Sequence, residues 1–90
     1  MSAPRLEDVL SSRGMVRFLK ALVKSGEATI TQLMRESGLN YRLAKRYISR
    51  LEAYGMVARR RIGGITIYSC NLGNKYMALI RDLILRWEED

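Results

Sequence analysis

The chain has no histidine, a single cysteine, a single proline and no long apolar run. Each shortage closes off a class of function. Without histidine there is no imidazole general base and no imidazole metal ligand. With Cys70 alone, neither an intrachain disulfide nor a cysteine-cluster zinc site can form. Such a cysteine reads as a small core residue and fits a reducing, intracellular setting. Apolar runs fall far short of the ~20 residues that a membrane span requires. The start, Met1 to Asp8, lacks the apolar stretch of a secretory signal. The carboxylates Glu27, Glu36 and Glu52 form no recognisable catalytic pair, and no phosphate-cradling glycine motif of the Walker or dinucleotide type occurs. An enzyme is therefore not expected, and neither is a cofactor, a metal or a membrane partner.

Acidic residues are also scarce. There are 9 against 16 Lys+Arg, for a net charge of +7 and a pI of about 10.1. The chain is 90 residues long and 48% hydrophobic, so it is expected to fold as one small domain around one core. The positive surplus is not spread evenly. Between residues 35 and 61, eight basic side chains stand against two acidic ones, a net of +6. The rest of the chain is almost balanced. A polyanionic partner follows from that concentration.

Glycines punctuate the chain and divide it into segments with distinct hydrophobic periods. Residues 1–5, with Pro4, read as a flexible lead. Met15, Phe18, Leu19, Leu22 and Val23 recur at helical spacing, in a helix that breaks or starts near Ser12 because Gly14 weakens its first half. Ser25-Gly26 ends it, with glycine in the left-handed cap position. Thr29 and Gln32 fit a capping box for a short helix that carries Ile30, Leu33 and Met34 and closes at Ser37-Gly38. Asn40 caps a third helix with Ala44, Tyr47, Ile48, Leu51 and Tyr54 on one face. Arg42, Lys45, Arg46 and Ser49 fall on the opposite face. Residues 56–62 and 65–70 are β-rich and flank Gly63-Gly64, which predicts a hairpin with a tight primed turn. The last stretch, about 73–89, is helical again, with Tyr76, Leu79, Ile80, Leu83, Ile84 and Trp87 on one broad arc.

This order resembles a winged helix-turn-helix domain from about residue 12 to residue 87. The segment from Thr29 to Val57 carries the likeness: second helix, Ser-Gly-Leu turn, recognition helix and glycine exit into the wing. The general pattern is similar to that of MarR- and ArsR-like regulators. The metal-sensing cysteines of the latter are missing, so metal sensing is not implied. The segment from Tyr68 to Tyr76 resembles the junction between wing and last helix in small archaeal and bacterial members. There the family usually places Thr or Ser before the last helix, and Gly73 stands here instead, which implies a weaker cap. A further likeness is to small archaeal DNA-binding proteins that join a winged helix to a dimer-forming C-terminal helix. The implied fold is mainly α with a small β-hairpin: three helices, a two-stranded wing and a C-terminal helix.

The resemblance implies a transcription regulator that binds double-stranded DNA, in a cytoplasmic, nucleoid-associated location. The recognition helix, about 40–54, would enter the major groove. Asn40, Tyr41, Arg42, Lys45, Arg46, Ser49 and Arg50 are its candidate contacts. Arginine can bond two guanine acceptors at once, whereas Lys45 suits a phosphate. The wing, about 56–70, would meet the backbone or minor groove through Arg59, Arg60 and Arg61 and its Gly63-Gly64 tip. Arg59 and Arg61 share one strand face and Arg60 takes the other.

The last helix either packs on the first helix alone or also joins two copies of the chain. A homodimer through Tyr76, Ile80, Leu83, Ile84 and Trp87 is expected, with two recognition helices about one DNA turn apart. Two other functions share these features. One is an architectural protein that coats DNA with little sequence preference. The other is a winged helix that serves as a protein-interaction module. The sequence identifies no small-molecule effector; sensing would have to use the dimer cleft or oxidation of Cys70.

Overall fold

The computed structural model describes residues 3–89. Five helices and three strands follow in the order α1 (Leu6–Val9), α2 (Arg13–Ser25), β1 (Glu27–Ala28), α3 (Ile30–Ser37), α4 (Tyr41–Ala53), β2 (Val57–Ile62), β3 (Ile65–Cys70) and α5 (Lys75–Glu88). The strands form one antiparallel sheet ordered β1-β3-β2.

Local chemistry sets the boundaries. The Ser12 hydroxyl accepts from the Met15 N–H at 3.1 Å and starts α2, so the break expected near Ser12 separates it from the single turn of α1. At the other end of α2, Gly26 has φ +76° but ψ −55°, outside the left-handed helical well that the sequence suggested. Thr29 and Gln32 form the complete capping box of α3. The turn into α4 needs a left-handed residue, and Gly38 supplies it at φ +74°. Beside it, the buried Ser37 hydroxyl donates to the Leu33 carbonyl at 2.6 Å and accepts from the Leu39 N–H at 3.3 Å. Asn40 then caps α4 through the Leu43 N–H at 2.9 Å.

Two further features differ from the sequence reading. The two residues Glu27–Ala28 form a strand that pairs with Ser69 and Tyr68, so the base of the hairpin is three-stranded. The last helix is capped by Asn74 rather than weakly by Gly73. The Asn74 Oδ1 accepts from both the Tyr76 and Met77 N–H groups at 3.0 Å, and its Nδ2 donates to the Tyr54 carbonyl at 3.1 Å.

One core unites these elements. Met15, Phe18, Leu19 and Leu22 of α2 meet Leu33 of α3, Ile48 and Leu51 of α4, and Met77 of α5. Each such side chain contributes roughly 1.5–3 kcal/mol on burial. Ala28, Val57 and Tyr68 close the core from the inner face of the sheet. Among the described residues no helix is long and apolar enough to cross a membrane. Of the expected lead 1–5, residues 1 and 2 lie outside the described residues; Pro4 lines a shallow apolar groove with Tyr76 and Leu79, and Arg5 pairs with Asp8 at 3.1 Å.

Candidate nucleic-acid interface

The buried face of α4 decides what its outer face can do. Ala44, Tyr47, Ile48 and Leu51 are held in the core, which turns Arg42, Arg46 and Ser49 outward. Lys45 and Arg50 are half-buried at the flanks, and Tyr41 is 56% exposed at the first turn. Asn40 is exposed, but its carbonyl oxygen is already engaged in the cap. Among the described residues, Arg42, Lys45, Arg46 and Arg50 have no carboxylate within 4.0 Å. A row of uncompensated cations thus projects from one helix face.

The hairpin stands beside that row. An open groove runs between them, lined by Thr29 and Thr31 at the start of α3, Tyr41 and Lys45 of α4, and Thr66 and Tyr68 of β3. The sequence marks none of the three threonines as a contact. Thr29 read there as a cap alone, and nothing local tells that Thr66 comes to face it. At the tip, Gly63 has φ +63° while Gly64 does not have a positive φ, the pattern of a type II′ turn with glycine first. A side chain at either position would meet open space, so it is the backbone angle at Gly63 that calls for glycine.

The three wing arginines are all exposed but differ in surroundings. Arg59 and Arg61 lie opposite Tyr68 and Thr66, on the face turned toward the groove. Arg60 lies opposite Ile67, on the outer face. The Arg59 Nε stands 3.1 Å from Glu52 of α4, and an Arg60 terminal nitrogen stands 2.9 Å from Glu27 of β1. Arg61 has no carboxylate within 4.0 Å among the described residues.

The residues expected at a dimer seam divide between two faces of α5. Ile80 and Ile84 are buried in the core of their own chain, and Tyr76 is half-buried against it. Leu83 is 44% and Trp87 80% exposed, in line with Leu79 at 66%. Lys20 and Lys24 of α2 hold the Glu88 carboxylate at 2.8 and 3.3 Å, and their hydrogen bonds keep its pKa below the usual range. Burial pushes the Cys70 thiol up instead, and its Sγ lies 4.0 Å from the Leu22 carbonyl. No group of three metal-ligating side chains occurs among the described residues.

Comparison with solved structures returns matches at low identity. The antimony-specific transcriptional repressor AntR superposes with a TM-score of 0.70 at 23% identity, over 88% of this chain and 69% of that one. Sso10a-2, a DNA-binding protein from Sulfolobus solfataricus, gives 0.65 at 22%, over 83% of this chain and 78% of that one. The transcriptional repressor PagR of Bacillus anthracis gives 0.68 at 19%, over 83% and 84%. At these identities the likeness is one of fold. No curated protein matches the chain. The winged helix-turn-helix family pattern matches residues 15–86, most of the sequence. With its helices, turn and hairpin in the family order, the chain belongs to the winged helix-turn-helix family.

Proposed function

We propose that this chain is a transcription regulator that binds double-stranded DNA as a homodimer. The observation that carries the DNA reading is the row of Arg42, Lys45 and Arg46 along α4, without a carboxylate partner among the described residues and beside a projecting hairpin. A helix of that kind fits the major groove, where arginine can bond guanine O6 and N7 together. Ser49 follows one turn on, toward either base edge or backbone. Tyr41 and the threonines of the groove offer hydroxyls to the sugar-phosphate chain. AntR and PagR, which share the fold, are transcriptional repressors, and that supports a regulatory role.

The homodimer rests on α5. Leu79, Leu83 and Trp87 recur every fourth residue and leave an apolar stripe in solvent. A second copy of the chain would cover it around a two-fold axis. Two recognition helices would then address half-sites about 34 Å apart.

The test is selection of bound duplexes from a random library, followed by titrations at several salt concentrations. A regulator enriches a pseudo-palindrome, and its log affinity falls with log salt by about 0.9 per neutralised phosphate. Tight, salt-dependent binding without enrichment marks a sequence-tolerant architectural protein. Absence of salt-dependent binding overturns the DNA reading and leaves a protein-interaction module.

A further inference from the structure

The third strand of the sheet is short, and the hairpin outgrows it. β1 pairs only with Tyr68 and Ser69 of β3. From Ile67 outward the wing is a two-stranded ribbon. Such a ribbon is marginally stable alone. At that point two ion pairs grip it. Arg59, opposite Tyr68, is the last β2 residue beside the three-stranded part, and it reaches Glu52 in the last turn of α4. Arg60, opposite Ile67, is the first beyond it and reaches Glu27 of β1. Side chains alternate along a strand, so the two arms pull on opposite faces. Arg61 comes next, one residue from the turn. It is unpaired among the described residues and sits across from Thr66, which lines the groove with Lys45.

We propose that Arg61 is the wing's own contact to nucleic acid, and that Arg59 and Arg60 are positioning residues which fix the hairpin's angle to α4 through Glu52 and Glu27. The proposal rests on the DNA reading above and divides the labour within the basic run. Arg60 is turned away from the groove, so a duplex lying along α4 and the groove face passes it by. Arg59 shares the groove face but lies nearer the base, where its guanidinium already has a carboxylate. Arg61 reaches furthest along that face and can enter a narrow minor groove, which attracts guanidinium groups.

The experiment measures binding to one duplex across a salt series for the whole chain and four variants. Arg61→Ala is expected to make the log–log salt slope shallower by about 0.9, the loss of one phosphate neutralised. Arg59→Ala and Arg60→Ala are expected to weaken binding by about two- to fivefold, the range of an exposed ion pair, with the slope of the parent. The decisive variant exchanges the charges, Glu52→Arg with Arg59→Glu. It rebuilds the brace and moves the arginine off the wing, so affinity should return toward that of the parent. Should Arg59→Ala flatten the slope as Arg61→Ala does, with no recovery in the exchanged variant, the division of roles is overturned. Should the parent itself show no salt-dependent binding, the DNA reading fails first, and the two failures are distinct.

Discussion

The hydroxyl oxygens of Ser12 and Tyr47 stand 3.3 Å apart, and the contact ties the cap of α2 to the middle of α4. Ser12 also accepts from the Met15 N–H, so one small residue serves a helix start and a tertiary contact. The prediction is a coupled loss. Ser12→Ala should cost roughly 1–2 kcal/mol through the lost cap, and Tyr47→Phe about 0.5–1.5 kcal/mol through the lost hydrogen bond. Because they share that bond, the double variant should fall short of the sum. Urea unfolding of the three variants checks it; strict additivity would show the hydroxyls to be independent.

Within α4 the candidate contacts are expected to separate by chemistry. Arg42→Ala should cost about 1–3 kcal/mol on a selected site and relax the preference at one base pair. Lys45→Ala should weaken selected and random duplexes alike and reduce the salt slope by about 0.9. Competition titrations on both duplexes would distinguish the two patterns.

Trp87 is the most exposed large apolar side chain of α5. Its truncation should therefore leave the fold of one chain intact and act on association. For Trp87→Ala, sedimentation equilibrium should show a shift toward monomer. Ile84→Ala is the contrast: it opens the chain's own core and should cost about 2–5 kcal/mol of stability. A parent protein that is monomeric at tens of micromolar would sink the dimer.

The clasp of Glu88 by Lys20 and Lys24 gives a pH signature. The folded carboxylate has a lowered pKa, its largest cause being the hydrogen bond from Lys20. A depressed acid contributes stability above its unfolded pKa, near 4.3, and that contribution is lost as pH falls through the lower folded value. Glu88→Gln should therefore be less stable than the parent at neutral pH and converge with it as the pH falls from about 4.3 through the lower folded value. Added salt should narrow the neutral-pH gap, since both partners are partly exposed. Thermal melts at neutral and acid pH, each at two salt concentrations, would test both.

Much of the architecture was readable because its signals are local. Ser12, Thr29 with Gln32, and Asn40 announce helix starts within four residues of themselves. Gly38 and Gly63 mark turns that need a positive φ. The outer face of α4 was readable too, since the helical period that buries Ile48 and Leu51 must expose Arg42 and Arg46. The Asn74 cap of α5 was a local signal that the neighbouring Gly73 obscured; the rest of what escaped depends on distant partners. Glu27–Ala28 has no strand period of its own and becomes a strand only because β3 offers an edge. The pairing of Arg60 with Glu27 is invisible for the same reason. In α5 the apolar arc is so broad that periodicity cannot tell Ile80, turned to the core, from Leu79, turned to solvent.

Cys70 closes β3 at the base of the hairpin, half-buried, with its thiol pKa raised by burial. Only the thiolate reacts at an appreciable rate, so an alkylating reagent acts slowly on the closed sheet and faster whenever the sheet parts from α2. As the chain's only thiol, it needs no engineering to report that event. Its labelling rate becomes a clock for how often the wing's root opens. A bound duplex that steadies the wing would slow that clock without touching the sulfur.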